Sequence, residues 1–370
     1  MTTASAAPPF IDTDAALAPW LARWSDAPWL ALDTEFIREE TYYPKLCVVQ
    51  VGDGRDSVCI DALAKIDLDP LFALLARPEI LKVFHAGGQD LEIFVHRTGA
   101  CPAPLFDTQI AAALLGYGDQ IGYSGLVEKL GGGKIDKSLS RTDWARRPLT
   151  GPQLAYAADD VRWLAAFYPR IEKELRDRGR LAWLEEDCER LTDASRYRPS
   201  PETEWERLKG LARLAAPAQH VAAALAAWRE TIAEQRNRPR KWILADDALY
   251  RIAERRPNSR AQLEALQVLP PKTLDRHAEA LLTVVAQHGA TGEPPLAVEE
   301  RPSDAARARS KRLSEELKAL ATALEIPPSL LATRSDLEAL VEDGPQARIS
   351  LLTGWRREVA GERLLALAVA

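Results

Sequence analysis

The chain has 370 residues, of which 46% are hydrophobic and 28% charged, with a formal net charge of −6. That length exceeds one ordinary domain and predicts two or three, with the composition of a globular protein. The mild acidity is neutral about nucleic acid, since local basic patches or bound cations can offset it. The four cysteines, Cys47, Cys59, Cys101 and Cys188, are widely spaced and form no CxxC pair, which argues against a zinc site or a disulfide framework. No run of about 18 apolar residues exists, and "MTTASAAPPFIDTD" lacks the basic and apolar segments of a signal peptide, so a cytoplasmic protein with no membrane partner is expected.

In chain order, "WLALDTEF", "LCVVQVGD" and "DSVCIDAL" read as three consecutive strands in an antiparallel meander. "LDPLFALLARPE" has helical periodicity, and "ILKVFHAG" returns as a buried strand. "QDLEIFVHRTG" and "DTQIAAALLG" are helices closed by Gly99 and Gly116. From Thr150 to Arg180 runs one long helix, with Thr150 as N-cap and Pro152 in its first turn. Such an order predicts a layered α/β or α+β unit. Beyond residue 200 no strand signal remains. "TEWERLKGLARL", "APAQHVAAALAAWRETIAEQRNRP", "ADDALYRIAERRP" and "SRAQLEALQVL" read as four short helices. Residues 288–304 are rich in Gly, Pro and charge and read as a linker, followed by a second helical unit from 305 to 370.

Asp33 and Glu35 interrupt the first strand. Side chains two apart share a face, so these carboxylates lie about 7 Å apart on one side of the strand. Two readings fit: a solvated face of an edge strand, or half of a divalent-metal site, since adjacent anions repel unless a cation lies between them. Asp90 falls in the first turn of a helix, where it complements the macrodipole. Gly87 and Gly88 just before it permit close backbone approach. Tyr156 and Asp160 are four apart, on one face of the long helix.

The set Asp33-x-Glu35, Asp90 and Tyr156-x-x-x-Asp160, in that order, resembles the DEDD superfamily of 3′–5′ exonucleases, in the branch with tyrosine in the third motif. The blocks "LDTEF", "TYYPKLCVVQ", "FHAGGQDLEIF", "FDTQIAAALLG", "SRTDWARRPLT" and "YAADDVRWL" resemble the ribonuclease D family over residues 28–190. "LAAWRETIAEQRNRPRKWILADDALYRIAERRP" is similar to the HRDC module. One departure is "HAGGQD", where many superfamily members carry an Asn-containing motif.

The resemblance implies an α/β fold: a ribonuclease H-like mixed-sheet exonuclease domain at 1–195, then two small all-α domains. These are an HRDC-like unit at 200–287 and, after the linker, a divergent second one at 305–370. It implies a metal-dependent exoribonuclease that trims structured RNA such as tRNA precursors, acts as a monomer and releases nucleoside 5′-monophosphates. It implies two Mg²⁺ or Mn²⁺ ions, with Asp33 bridging both, Glu35 and Asp160 on the nucleophile side, and Asp90 serving the second ion directly or through water. Four acids and no thiol suit such hard cations. Tyr156 would orient the attacking water. His85 and Phe36 are candidate substrate contacts, whereas Phe84 reads as core. Arg236, Arg238, Arg240 and Lys241 form a basic cluster that would touch RNA in the HRDC-like unit, and "ARARSKR" (306–312) is a weaker one. A proofreading-type DNA exonuclease and a non-catalytic RNA-binding protein on a nuclease scaffold are the alternatives. The complete acidic set speaks against the latter.

Overall fold

The computed structural model describes residues 8–135, 138–289, 294–297 and 303–369. By their contacts these form two units, the first comprising 8–37, 46–197 and 303–369, the second 38–45 and 198–297. The first is built on a six-stranded sheet in the order β1-β4-β3-β2-β5-β6. The strands are β1 (Phe10–Ile11), β2 (Trp29–Ile37), β3 (Lys45–Gly52), β4 (Ser57–Asp61), β5 (Leu81–Phe84) and β6 (Leu105–Asp107). β3 and β4 are antiparallel, while the pairs β1–β4, β2–β5 and β5–β6 are parallel. The three consecutive strands expected of the meander are the adjacent trio β4-β3-β2, in which β3 and β4 run antiparallel. β1 and β6, with two and three residues, are too short to show a periodicity, and the sequence reading had neither.

Around this sheet lie α1 (Asp14–Trp24), α2 (Asp69–Leu75), α3 (Gly88–Thr98), α4 (Thr108–Leu114), α5 (Tyr123–Lys129), α6 (Gly151–Asp177) and α7 (Leu181–Leu191). α6 begins with a capping box between Thr150 and Gln153, and Pro152 occupies its first turn. Its small residues Ala157, Ala158 and Ala165, with Val161 and Leu164, are buried against the sheet. At Gly52 the approach is so close that a Cβ would lie 3.0 Å from the Val161 carbonyl oxygen. The long helix expected to reach Arg180 breaks at Gly179, whose φ of +67° suits glycine.

The chain returns to this unit as α13 (Asp304–Ala323), α14 (Pro328–Leu331), α15 (Arg334–Asp343), α16 (Gly354–Arg356) and α17 (Glu362–Val369). These helices share one hydrophobic core with the sheet: Leu313, Leu317, Leu340, Trp355 and Leu364 join Leu30, Val83 and Phe84 in a single cluster. Of the segment 305–370, read from sequence as a separate small domain, the described residues 305–369 group with the exonuclease unit. Trp355 stacks on Trp183 with ring centroids 4.5 Å apart. Arg356 and Asp187, both buried, form a two-pronged ion pair. Arg180 donates to the carbonyls of Leu114 and Leu324, both at 2.6 Å. Sequence periodicity shows that a helix has an apolar face but not which surface covers it, and this is where the reading missed the arrangement.

The second unit holds α8 (Ala216–Gln235), α9 (Arg240–Ile243), α10 (Asp246–Arg255), α11 (Arg260–Ala265) and α12 (Pro271–His288) around Val221, Leu225, Leu249, Ile252, Leu263 and Leu281. "TEWERLKGLARL" forms 3₁₀ turns instead of an α-helix, and α12 was not anticipated. Residues 38–45, between β2 and β3, belong here. Tyr42 is buried with Ala233 and Ile243, its hydroxyl donates to Glu230, and the N–H groups of Tyr42 and Tyr43 donate to Asn237 Oδ1 at 3.0 and 3.1 Å. Much of the expected linker lies outside the described residues. Within 294–297, Ala297 exchanges two hydrogen bonds with the Gln219 side chain at 2.9 and 2.8 Å.

Ending the chain near residue 200 would strip α13–α17 from the core along with the second unit. Such a truncation is expected to be insoluble or to unfold at much lower denaturant than the full chain. Asp187→Ala, which leaves the buried Arg356 unpaired, is expected to cost about 3–5 kcal/mol in a denaturant titration. A soluble, fully stable truncation would show that the C-terminal helices are dispensable to the core.

Candidate active site

The packing of α6 across the sheet decides the site. Asp33 and Glu35 project from β2, and Asp160 projects from α6. Ligand atoms of these three carboxylates all lie within 4.8 Å of one another. They line a cleft of about 320 Å³ together with Thr34, His85, Tyr123, Ser124, Ile135, Ser140, Tyr156 and Leu164. Tyr156 thus joins Asp160 in the cleft, as its position one turn earlier on the helix requires. The fourth acid, Asp90, stands outside the three-carboxylate group and does not line the cleft. It is buried on the first turn of α3, where Thr34 Oγ1 donates to its Oδ1 at 2.5 Å. Thr34, flanked by the two strand acids, is a link that the acidic motif alone does not reveal.

Burial raises the proton affinity of all four acids, and at Asp33 and Glu35 the charges of the others add to it. Burial, followed by the charges of Asp160, Asp90 and Glu35, holds the Asp33 carboxyl well above the usual range. Burial, then Asp160 and Asp90, pushes Glu35 up to about 9. Burial, with Asp159, lifts Asp160 to about 7. Asp90 rises to about 6 through burial, against the Thr34 hydrogen bond. The Tyr156 phenol is raised by burial and by the charges of Asp160, Glu35 and Asp33, so it keeps its proton at neutral pH. Like charges gathered in a partly desolvated cleft favour either protonation or a cation. Hard, close-set carboxylate oxygens make that cation a divalent one with oxygen preference.

The walls come from distant segments. His85 Nε2 faces the Ile121 carbonyl at 3.0 Å; a carbonyl only accepts, so this nitrogen carries a proton. Its Nδ1 meets Thr108 Oγ1 at 3.0 Å. With both ring nitrogens engaged, His85 is a wall residue of the cleft, and burial lowers its pKa. Tyr123 Oη donates to the Asp159 carbonyl at 2.8 Å. The turn at Ala86 and Gly87 is held by Asp107, which accepts both N–H groups at 3.1 and 3.0 Å while capping α4. A Cβ at Gly87 would lie 2.8 Å from Phe84 Cβ, whereas Gly88 has open space. Sequence reading missed Tyr123 and Ser124 as cleft residues because they lie in no motif, and Ser140 because, although it opens the block "SRTDWARRPLT", a serine there signals no particular chemistry. Asp107 was visible only as the start of a helix.

Other candidates fall elsewhere. Phe36 does not line the cleft; by strand alternation it shares the face of Thr34, opposite that of Asp33 and Glu35. Phe84 is fully buried core. In the second unit, Arg240 is committed to Glu230 and lies over the Tyr42 ring at 4.9 Å. Arg238 donates to the Glu40 carbonyl at 3.2 Å, and Lys241 pairs with Asp246 at 3.3 Å. Arg236 is exposed at the end of α8. In the weaker cluster, Arg307 pairs with Asp304 at the start of α13. The run of positive charge in the second unit is thus largely woven into that unit's own ion pairs.

Comparison with known proteins agrees with this geometry. A family described as 3′–5′ exonuclease matches residues 8–176, which contain the whole sheet and every residue of the cleft. The first unit is therefore a 3′–5′ exonuclease of the DEDD class. The HRDC domain family matches residues 218–285 in the second. Ribonuclease D of Nitrobacter hamburgensis is 41% identical over 362 residues, covering 96% of this chain and 94% of its own. That of Zymomonas mobilis is 40% identical over 366 residues, covering 97% and 93%. The crystal structure of Escherichia coli RNase D, described as an exoribonuclease involved in structured RNA processing, superposes with a TM-score of 0.87 at 32% identity over 97% of this chain and 98% of that one. The chain belongs to the ribonuclease D family and is a 3′–5′ exoribonuclease. Exonucleases of the DEDD class are metal-dependent, in keeping with the acidic cluster. Among the described residues no helix is long and apolar enough to cross a membrane.

The raised pKa values give a signed expectation. Carboxyls that bind protons more tightly folded than unfolded (about 4 when unfolded) contribute stability that is complete below that value. That contribution is lost as pH climbs through about 6 for Asp90, 7 for Asp160 and 9 for Glu35. Metal-free protein is expected to lose this share of its stability over that window. Mg²⁺, by stabilising the ionised forms, should raise Tm more near pH 8 than near pH 5.5. Thermal melts with Mg²⁺ and with EDTA at the two pH values check it; an equal Mg²⁺ effect at both would contradict the coupling.

Proposed function

We propose that the protein trims the 3′ ends of structured RNA such as tRNA precursors, releasing nucleoside 5′-monophosphates with the help of two divalent ions, Mg²⁺ or Mn²⁺. It would act as a monomer in the cytoplasm, as the family resemblance implies. The observation that carries the reading is the convergence of Asp33, Glu35 and Asp160 within 4.8 Å, with Tyr156 beside them in the cleft. The donor set fits the ions: all three are carboxylates, and no thiol or imidazole is among them. Asp33 would be shared between the two ions, Glu35 and Asp160 would complete the nucleophile side, and Asp90 would serve the second. Bound there, the ions would activate water and neutralise charge on the phosphoryl and leaving oxygens.

The chain's own groups do the rest. The fold holds the carboxylates together before substrate arrives, so little reorganisation remains for the reaction. Thr34 fixes Asp90 through its hydroxyl, setting the distance between the fourth acid and the strand pair. Tyr156, protonated at neutral pH, serves as a hydrogen-bonding group that orients the attacking water and not as its base. A 3′-terminal nucleotide lying in the cleft would meet His85, Tyr123 and Ser140 as its walls. Structured RNA is the substrate class described for the E. coli relative, and it supports the choice of substrate here.

3′-labelled RNA and matched DNA, incubated with Mg²⁺, Mn²⁺ or EDTA, test the reading directly: stepwise release of mononucleotides from RNA, abolished by EDTA, is expected. Asp33→Asn should lower the rate on the order of 10³-fold or more while the protein stays folded. Tyr156→Phe should lower kcat by roughly 10- to 150-fold with KM nearly unchanged, the loss of one hydrogen bond made in the transition state. Asp33→Asn within tenfold of wild type would overturn the metal assignment.

A further inference from the structure

Between α5 and α6 the chain makes a long excursion that ends at Thr150. Two of its residues, Ile135 and Ser140, form part of the cleft wall. Its anchor is Arg147. The guanidinium grips Asp61, at the end of β4, through two bonds of 2.8 and 2.6 Å. It also donates to the Cys47 carbonyl of β3 at 2.9 Å and to the Trp144 carbonyl at 2.7 Å. Burial works against charge on Asp61, yet Arg147 and the Leu63 N–H outweigh it and hold its carboxyl below the usual range. A second tie runs from Gln153 Nε2, inside the α6 capping box, to Thr142 Oγ1 at 3.3 Å.

What this staple holds in place is Trp144. Its ring is buried in a small cluster with Cys47, Val48, Cys59, Leu149, Ala157 and Ala158, against which Tyr156 packs. The rings of Trp144 and Tyr156 lie 6.1 Å apart with planes inclined by 36°, within the range of attractive aromatic pairs. A tyrosine near the start of a helix, with its hydroxyl in an open cleft, has rotamer freedom unless something lies against its ring. The indole is that surface, and the arginine fixes the backbone carrying it.

We propose that Trp144 and the Arg147–Asp61 ion pair are positioning residues for Tyr156: they set the direction of its hydroxyl in the cleft without touching the reacting atoms. The proposal rests on the reading of Tyr156 as the group that orients water. Arginine suits the anchoring role because its planar fork serves one carboxylate and the carbonyls of Cys47, Trp144 and Arg146, on three segments at once. Lysine, a point donor, cannot reproduce that pattern.

The test is a double-mutant cycle on the full-length protein. Trp144→Phe keeps an aromatic ring of smaller reach. It also removes an indole N–H that is buried without a partner among the described residues, so folding should survive. Trp144→Phe and Arg147→Lys should each lower single-turnover kcat on short 3′-OH RNA by roughly 5- to 30-fold with KM within about twofold, less than Tyr156→Phe. In a Tyr156→Phe background, where no hydroxyl remains to be aimed, either change should cost less than about twofold. Equal losses in both backgrounds would overturn the proposal, because the residues would then act through the cleft wall or through stability. Wild-type kcat for Trp144→Phe and Arg147→Lys would overturn it as well. Should Tyr156→Phe itself retain full kcat, the reading of Tyr156 falls and this proposal with it, an outcome told apart from the others by that single variant.

Discussion

The close packing of one long helix across a central strand is the constraint on which this molecule depends. β2 brings Asp33 and Glu35 to the sheet face, but a strand alone leaves two anions in search of a partner. α6 supplies Asp160 and Tyr156, and it reaches the sheet because the contacting residues are small: Ala157, Ala158 and Ala165 on the helix, Gly52 on β3. Like charges are thereby driven within 4.8 Å of each other against their mutual repulsion. The apolar burial on either side of them holds that arrangement, since dispersion and hydrophobic burial act over the whole interface while the repulsion acts at one spot. A fold that gathers anions in this way has prepared a place for divalent cations.

Around that centre a second layer of polar residues does geometric work. Asp107 stitches the turn after β5 and caps α4 with the same carboxylate. His85 joins the helix that follows β6 to the loop before α5. Thr34 ties the strand to Asp90. These contacts hold loop segments that carry little apolar surface of their own. Hydrogen bonds in a partly buried setting are well suited to that task, because leaving one unmade is costly.

The same principle extends past the exonuclease sheet. α13–α17 close over α4 and α7 with Trp355, with Arg356 and with the Leu324 carbonyl, which accepts from Arg180. In the second unit the residues between β2 and β3 furnish Tyr42 and Tyr43 to α8. The strand that carries Asp33 and Glu35 therefore runs directly into a segment whose side chains belong to the second unit's core. Chain order and spatial order part company in both places.

The local features were legible before any coordinates. The strand acids, the N-cap at Thr150 and the Tyr156-to-Asp160 spacing follow from periods of two and 3.6 and from capping chemistry, all properties of a few neighbouring residues. The resemblance carried by those motifs named the family. Pairing and partnership were not legible. That Arg240 pairs with Glu230, that Phe36 shares Thr34's face and not that of the acids, and that Asp90 lies apart from the other three acids depend on which distant surfaces meet. The C-terminal helices make the point most directly. An amphipathic pattern states that Leu317 and Leu364 must be covered, whereas the cover itself is assembled from other helices of the C-terminal segment and from α7, and only tertiary packing can select it.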